Sequence, residues 1–359
     1  MNETYQLYGL TVSSEIQLPE ALPIPSVQAP DVTVLLEPVS MDASRHERCV
    51  MAQPDNWFCV VSPDHFLFQN LRFIFEIQKG RRISVEITGP GPYDLGKLRT
   101  FLLGTAFGVL NIQRGQTPLH GAAFRYGDSA VVLCGGTGAG KSTLLDALIR
   151  QGYAFLADDV ALTVPEEGTP YLYPAYPQRK LMRDAALRQG CGPNQYPLVN
   201  EDCRDKYLIR ESAPWCRQKL PLGLLIEILP QAPLSQEGPF QNSLPEPLSK
   251  IPPRENPSGK RHAPNLQGIQ GIPALQLLIR NLYRRQFYPH MDAQPLRMKQ
   301  WLTITKNIKA YQLICPHDGN PASCVELIVA ACQKDLGLPP LGDKPPGKQG
   351  VTLPPAITD

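Results

Sequence analysis

The residues from Gly135 to Ser142 have the types and the spacing that are needed to hold a chain of phosphate groups. They fit the pattern G-x-x-x-x-G-K-[ST] at every required position. Glycines let backbone N–H groups approach an anion, a lysine ammonium can reach the β- and γ-phosphates, and a serine hydroxyl can ligate Mg²⁺. The segment therefore predicts a nucleoside triphosphate site with these nucleotide-binding residues: Gly135, Gly136, Thr137, Gly138, Ala139, Gly140, Lys141, Ser142 and Thr143.

Two adjacent carboxylates, Asp158 and Asp159, follow the apolar segment Phe155-Leu156-Ala157. They come 17 and 18 residues after Lys141, one helix later, so the pair must lie close to the phosphate loop. One carboxylate near the phosphates can hold Mg²⁺, and the other can accept the proton of an attacking hydroxyl group. Such pairs also occur in solvated turns at strand ends, but the nearness of the loop favours the functional interpretation.

Four further residues are candidates for the same site. His120 stands just upstream of the phosphate loop, where an imidazole can orient a carboxylate or steady a phosphate, although a lone histidine can equally be structural. Arg179, Lys180 and Lys206 can contact the substrate or the γ-phosphate, although a solvated charged surface is the commoner role of such residues. A solvated face is predicted for three other arginines: Arg280, Arg284 and Arg285.

The elements that must position these residues form a strand–loop–helix–strand unit. A strand is predicted at Ala130–Cys134, and a helix begins near Lys141 and ends at Gly152. Further strands are predicted at Tyr153–Ala157 and Val160–Val164. A phosphate loop between a strand and a helix is the context that the motif requires.

The rest of the chain divides by composition. Residues 1-96 are predicted to form a β-rich domain with short apolar runs at Val32–Leu36, Phe58–Val61, Phe66–Phe68, Phe73–Ile77 and Ile83–Ile87. The catalytic domain is expected over 97-336, with helices at Lys97–Arg114, Leu275–Phe287 and Val325–Leu336. A proline-rich insertion at 230-266 and a Pro/Gly-rich tail at 337-359 are predicted to lie outside the core.

Composition limits the classes of protein to which the chain can belong. A chain of 359 residues with 42% hydrophobic residues is globular, and a formal charge of +2 gives no reason to expect nucleic-acid binding. The apolar stretch Phe101–Ile112 is about half as long as a membrane span, and no secretory signal is readable, so a cytoplasmic protein without membrane association is expected. Cys191, Cys203 and Cys216 lack a local histidine, which argues against a metal–thiolate site.

The segment from His120 to Asp159 resembles the catalytic core of the HPr kinase/phosphorylase family. In that family a histidine precedes the loop lysine by 21 residues, as His120 precedes Lys141, and an R-G-H-x-L-V-A-D-D-like segment follows, of which Gln151-Gly152-Tyr153 is a near variant. The similarity covers about residues 117 to 164. It implies an α/β fold, with a P-loop kinase core of the HPr kinase/phosphoenolpyruvate carboxykinase type preceded by a small β-rich domain.

The resemblance also implies an activity. It implies a kinase that uses ATP and Mg²⁺ to phosphorylate a serine or threonine hydroxyl of a peptide or protein, with Asp159 as proton acceptor and Lys141 and His120 as supporting catalytic groups. Ser142 and Asp158 are the expected Mg²⁺ ligands. The E-I-R-G-type signature of the family is not found, so the resemblance does not extend to reverse phosphorolysis. Hexamers in the family imply self-association.

A subgroup is similar in architecture: shorter HPr-kinase-like proteins encoded with bacterial peptide natural products, some of which phosphorylate a serine of a lasso-peptide precursor. Tyr8-Gly9-Leu10, Leu103-Gly104 and Arg114-Gly115 fit that subgroup. Two alternatives use the same phosphate loop. One is a kinase for a small hydroxylated metabolite, and the other is a nucleotide-binding module that hydrolyses ATP without an acceptor other than water.

Overall fold

The computed structural model describes residues 2–39, 49–53, 56–182, 206–209, 214–231, 263–291, 294–316 and 321–337. Most of the predicted proline-rich insertion and nearly all of the predicted tail lie outside these residues, as do Cys191 and Cys203. Within the described residues, no helix is both long and apolar enough to cross a membrane.

The first part of the chain forms a nine-stranded sheet. Its strands are β1 Glu3–Leu7, β2 Leu10–Ser14, β3 Leu22–Pro23, β4 Val32–Leu36, β5 Cys49–Gln53, β6 Asn56–Ser62, β7 His65–Asn70, β8 Phe73–Gln78 and β9 Arg82–Ile87. Their order is β3-β1-β2-β4-β9-β8-β7-β6-β5. The pairs that include β4 are parallel and the others are antiparallel. The five apolar runs that predicted strands here are confirmed.

A helical segment connects this sheet to the second one. It consists of α1 Leu95–Phe101, a π-helical turn at Leu102–Ala106, and α2 Phe107–Gln113. The carboxylate of Asp94 accepts a hydrogen bond from the backbone N–H of Lys97 at 3.0 Å and so caps the first turn. The predicted helix is therefore confirmed, but the π-helical turn was not visible in the three-to-four spacing of its apolar residues.

The rest of the chain builds a second sheet with helices against it. The eight strands of this sheet are β10 Thr117–Tyr126, β11 Ser129–Cys134, β12 Phe155–Ala157, β13 Val160–Glu166, β14 Thr169–Tyr173, β17 Leu220–Pro230, β18 Asn265–Ile269 and β19 Lys309–Cys315. Two further strands, β15 Arg179–Met182 and β16 Lys206–Ile209, lie outside it. Its helices are α3 Lys141–Arg150, α4 Ile272–Arg280, α5 Tyr288–Met291, α6 Gln294–Asn307 and α7 Pro321–Leu336. The eight-stranded sheet has the order β11-β10-β13-β14-β17-β19-β18, with β12 beside β10 and β11 also beside β17. Strands β15 and β16 form a separate pair.

The predicted helix at Leu275–Phe287 is only partly right. Helix α4 ends at Arg280, and a short 3₁₀ turn follows at Arg285–Phe287. The predicted helix cannot continue to Phe287, because the backbone φ of Arg284 is +52°, in the left-handed region. The predicted strand at Tyr153–Ala157 likewise begins later, at Phe155.

One apolar core runs through both sheets and the helices between them. Phe75 of the first sheet, Phe107 of α2 and Leu162 of the second sheet belong to it, and each is fully buried. A second core lies between the second sheet and helices α3 and α7. The fold is thus mixed α/β with two large sheets, while the proposed domain boundaries stay a prediction.

Candidate functional site

The phosphate loop joins β11 to α3, as the sequence predicts. Gly135, Gly138 and Gly140 have φ values of +141°, +80° and +96°, which residues with a side chain rarely adopt. A Cβ atom at Gly135 would lie 2.6 Å from the carbonyl oxygen of Ile228, whereas one at Gly136 would meet nothing within 4 Å. The loop is therefore tight where it touches β17 and open on the side where an anion would approach the first turn of α3.

Lys141 points back across the loop toward His120. Its ammonium donates to the carbonyl oxygens of Gly135 and Gly136 at 2.8 and 3.0 Å, and it lies 3.1 Å from Nε2 of His120. Because an ammonium group can only donate, Nε2 must accept, and the imidazole is neutral with its proton on Nδ1. Burial lowers the pKa of His120, and the charge of Lys141 lowers it further, in agreement with this assignment.

The other side of the imidazole faces Asp159. Nδ1 of His120 lies 3.4 Å from Oδ1 of Asp159, and the ammonium of Lys180 donates to Oδ2 of the same carboxylate at 3.0 Å. Burial alone would lower the pKa of Lys180, but the charge and the hydrogen bond of Asp159 outweigh it and raise that pKa. A continuous series of polar contacts thus runs from Lys141 through His120 and Asp159 to Lys180.

The backbone conformation at Asp159 explains how two adjacent carboxylates point to different parts of the site. Its φ is +92°, outside the regions that L-residues favour, and conformations of this kind are held only where the surroundings fix them. Here the carbonyl oxygen of Asp159 accepts a hydrogen bond from the backbone N–H of Gly121 at 3.2 Å. The turn directs Asp159 toward His120 and directs Asp158 toward the phosphate loop.

Asp158 is buried, with 6% of its surface exposed, and it contacts the loop. Its Oδ1 accepts from the Ser142 hydroxyl at 3.2 Å, and its Oδ2 accepts from the backbone N–H of Lys180 at 2.8 Å. Burial raises the pKa of this carboxyl group. A serine hydroxyl beside a carboxylate supplies the hard oxygen ligands that Mg²⁺ prefers, and no cluster of three or more acidic, His or Cys side chains suited to a metal occurs among the residues that the structure describes.

Two of the predicted phosphate contacts, Arg179 and Lys206, lie on the paired strands β15 and β16. The guanidinium of Arg179 bonds Oδ1 of Asp146 on α3 at 3.1 Å, and only 5% of the Arg179 side chain is exposed. Successive side chains of a strand point to opposite faces, so Arg179 turns toward α3 where Lys180 turns toward Asp159. The phosphate or substrate contact predicted for Arg179 stays a prediction. The backbone of Lys206 pairs with Met182, and the Lys206 side chain lies outside the described part of the chain.

A charged cluster behind His120, centred on the buried Glu227, was not predicted from the sequence. Glu227 on β17 pairs with the guanidinium of Arg280, and it accepts from the side-chain amide of Asn281 at 2.9 Å. Burial would raise the pKa of Glu227, but the hydrogen bond from Arg280 and its other partners lower it. The carbonyl oxygen of Asn281 accepts from the backbone N–H of His120 at 2.8 Å, so the cluster anchors the backbone at His120.

The solvated face predicted for the three arginines is confirmed for Arg280 and Arg285, which are exposed, although Arg280 also pairs with Glu227. It is wrong for Arg284, which is only partly exposed and donates to the Thr105 hydroxyl at 2.9 Å. A glutamate inside the apolar strand β17 was the available signal, because a buried carboxylate needs a cationic or hydrogen-bonding partner.

Comparison with known proteins gives little beyond this geometry. No family model matches the chain, and no curated protein matches it. Among solved structures, the chain is similar to the Hpr(Ser) kinase/phosphatase from Coxiella burnetii, with 16% sequence identity, a TM-score of 0.29, and coverage of 61% of this chain and 93% of that one. Because a TM-score this low carries no argument, the function must be argued from the site.

Proposed function

We propose that this chain is an ATP-dependent kinase that transfers the γ-phosphoryl group to a serine or threonine hydroxyl of a peptide or protein. The observation that carries the proposal is the placement of Asp159. The Asp159 carboxylate is 27% exposed and is linked through His120 to the lysine of the phosphate loop. Asp159 also directly follows Asp158, which together with Ser142 can offer oxygen ligands to Mg²⁺. A base beside a phosphate site is what transfer to a hydroxyl group requires.

The residues of the site fit ATP and Mg²⁺. The loop is open above Gly136, Gly138 and Gly140, where a Cβ would meet nothing within 4 Å, so the backbone can approach an anion. Ser142 and Asp158 offer two oxygens to a cation that usually takes its remaining ligands from phosphates and water. When bound, ATP supplies the phosphoryl group and Mg²⁺ neutralises its charge.

Each protein group then has a defined task. Asp159 accepts the proton of the acceptor hydroxyl, and Lys180 and His120 hold its two oxygens in place. Lys141 stabilises the negative charge on the phosphates, and its contact with Nε2 keeps His120 neutral with its proton directed at Asp159. The order of the groups fits in-line transfer from the loop to a hydroxyl group at Asp159.

At a finer level we propose a core of the HPr kinase/phosphoenolpyruvate carboxykinase type. The support is the order of His120, the phosphate loop and the Asp158-Asp159 pair, with 21 residues from His120 to Lys141. A lasso-peptide precursor serine is the first acceptor to test, because Tyr8-Gly9-Leu10 and Leu103-Gly104 fit the subgroup that modifies such peptides.

The test is transfer of label from γ-labelled ATP with Mg²⁺ to candidate precursor peptides, with Lys141→Ala as the inactive comparison. We expect label in the peptide with the natural chain and none with Lys141→Ala, which loses the contact with the triphosphate. Label in a small hydroxylated metabolite would move the proposal to a metabolite kinase. Label only in free phosphate would replace it with an ATPase.

A further inference from the structure

Two cysteines lie in contact at one end of the second core. Cys315 is the last residue of β19, and Cys324 lies in the first turn of α7. Both thiols are free, and their sulfur atoms are 3.2 Å apart, so that one thiol can donate to the other. The sulfurs of a disulfide lie about 2.05 Å apart. The two thiols therefore need to approach by only about 1 Å to form a covalent bond.

The pair is not sealed inside the core. Cys324 is buried, but Cys315 is only half-buried, so solvent reaches the residue at one end of the pair. Cys332, further along the same helix, is fully buried. A small oxidant can therefore reach the pair through Cys315, whereas the third cysteine of this region is shielded.

The contact also changes the acidity of one thiol. The hydrogen bond from Cys315 lowers the pKa of Cys324, although burial opposes this. The thiolate is the nucleophile in thiol–disulfide exchange. The neighbouring thiol therefore favours the form of Cys324 that reacts.

The two cysteines belong to elements that support the phosphate loop. Strand β19 pairs in parallel with β17, and the carbonyl oxygen of Ile228 on β17 limits the space at Gly135 of the loop. Helix α7 places Val325 in the second core, which also contains Leu144 of α3, the helix that follows the loop. A bond between the two sulfurs would join β19 covalently to the start of α7.

We infer that Cys315 and Cys324 form a reversible modification site, at which a low-molecular-weight disulfide oxidises the two thiols to one disulfide bond between β19 and α7. The exchange passes through a mixed disulfide on one of the two protein sulfurs, which the other sulfur then attacks. The protein loses two electrons and two protons. The S–S bond of the oxidant accepts the electrons, and its two halves leave as thiols that carry the protons.

The bond has a physical consequence for the second core. It closes a loop of ten residues, from Cys315 to Cys324, and so reduces the conformational entropy of the unfolded chain. We therefore expect the oxidised protein to be more stable than the reduced one. This site does not depend on the proposed kinase activity, because it needs neither ATP nor an acceptor.

The first test maps the bond directly. The folded natural chain is incubated with oxidised glutathione, the remaining thiols are alkylated, and the chain is cleaved after Asp318 and Glu326, which places Cys315, Cys324 and Cys332 in three different peptides. Mass spectrometry should find the Cys315 and Cys324 peptides linked to each other in most of the protein, and dithiothreitol should separate them. Alkylated Cys315 and Cys324, a lasting glutathione adduct on either, or a link to any other cysteine would overturn the inference.

The second test compares thermal midpoints before and after the same oxidation. Cys315→Ser is the test variant, because its side chain is half-buried and the change is small, and Cys332→Ala on the same helix is the control. Each protein is compared with its own reduced form, so the cost of the substitution itself cancels. Oxidation should raise the midpoint by about 3–6 °C in the natural chain and in Cys332→Ala, and should leave Cys315→Ser unchanged. An equal rise in Cys315→Ser, or no rise in the natural chain, would contradict a bond between β19 and α7.

Discussion

The ammonium of Lys180 lies 3.0 Å from Oδ2 of Asp159. The backbone N–H of the same lysine donates to Asp158 at 2.8 Å, so one residue of β15 fixes both carboxylates of the pair. The side-chain contact depends on the residue type, whereas the backbone contact is kept by every substitution except proline. The two contacts can therefore be separated by mutation.

Replacing Lys180 with methionine should reduce kcat by about tenfold to a hundredfold, because Asp159 loses the partner that holds it. The KM for ATP should stay unchanged, since Lys180 bonds the carboxylates and not the phosphate loop. Steady-state kinetics over a range of ATP concentrations would measure both constants. A raised KM with natural kcat would instead support the phosphate contact that the sequence predicts for this residue.

Two glycines of the phosphate loop should differ sharply in their tolerance of alanine. Gly135→Ala should abolish detectable nucleotide binding, because φ is +141° and the new Cβ would lie 2.6 Å from a backbone oxygen of Ile228. Gly136→Ala is the matched control, since its Cβ would meet nothing within 4 Å. Isothermal titration with ATP would compare them, and equal affinities would show that the loop does not depend on this close contact.

Asp158→Asn should stabilise the nucleotide-free protein at pH 7. Burial raises the pKa of Asp158, so ionisation of this carboxyl group lowers the stability of the folded protein. This loss of stability is absent below the unfolded pKa of about 3.9 and grows as the pH rises through the folded pKa. An asparagine can keep both hydrogen bonds, with its oxygen toward Lys180 N–H and its NH₂ toward the Ser142 hydroxyl.

We expect the thermal midpoint of Asp158→Asn to rise by about 1–3 °C at pH 7 without Mg²⁺, and by less at pH 4. Transfer activity should be lost, because the change removes a predicted metal ligand. Calorimetry at the two pH values would measure the difference. A lower midpoint at pH 7 would mean that the contacts of the carboxylate outweigh the cost of burying it.

His120 should make stability depend on pH as the pH falls below about 6.5, the unfolded pKa of histidine. Burial and the charge of Lys141 lower the folded pKa of His120 below the unfolded value of about 6.5. The stability that the neutral imidazole contributes is therefore complete above the unfolded pKa and is lost as the pH falls toward the folded pKa. Thermal midpoints of His120→Gln should therefore fall less on acidification than those of the natural chain. The exposed His290→Gln is the control, and parallel curves for all three proteins would contradict the assignment.

The sequence predicts best where local pattern decides the structure. Strand β4 was predicted at Val32–Leu36 with the bounds that the structure shows, because its alternation and flanking turns are local. The phosphate loop follows from its motif, and it joins β11 to α3 as predicted. The contact of Lys141 with His120 was not predicted.

What the sequence did not predict depends on strand faces and on distant segments. Arg179 and Lys180 are adjacent and both basic, and only the facing of β15 sends one to Asp146 and the other to Asp159. The φ of +92° at Asp159 has no sequence signal, since aspartate is common in ordinary turns. The burial of Tyr8 against Tyr176 and Phe107 depends on the docking of a whole sheet.

The most direct test of the account is single-turnover transfer by Asp159→Asn beside Asp128→Asn. Asp128 is a suitable control because 97% of its side chain is exposed, in a surface pair with Arg125. The account predicts natural ATP affinity in both variants, natural transfer in Asp128→Asn, and transfer slower by at least about a hundredfold in Asp159→Asn. Natural transfer by Asp159→Asn would show that this carboxylate is not the base and would contradict the proposed site.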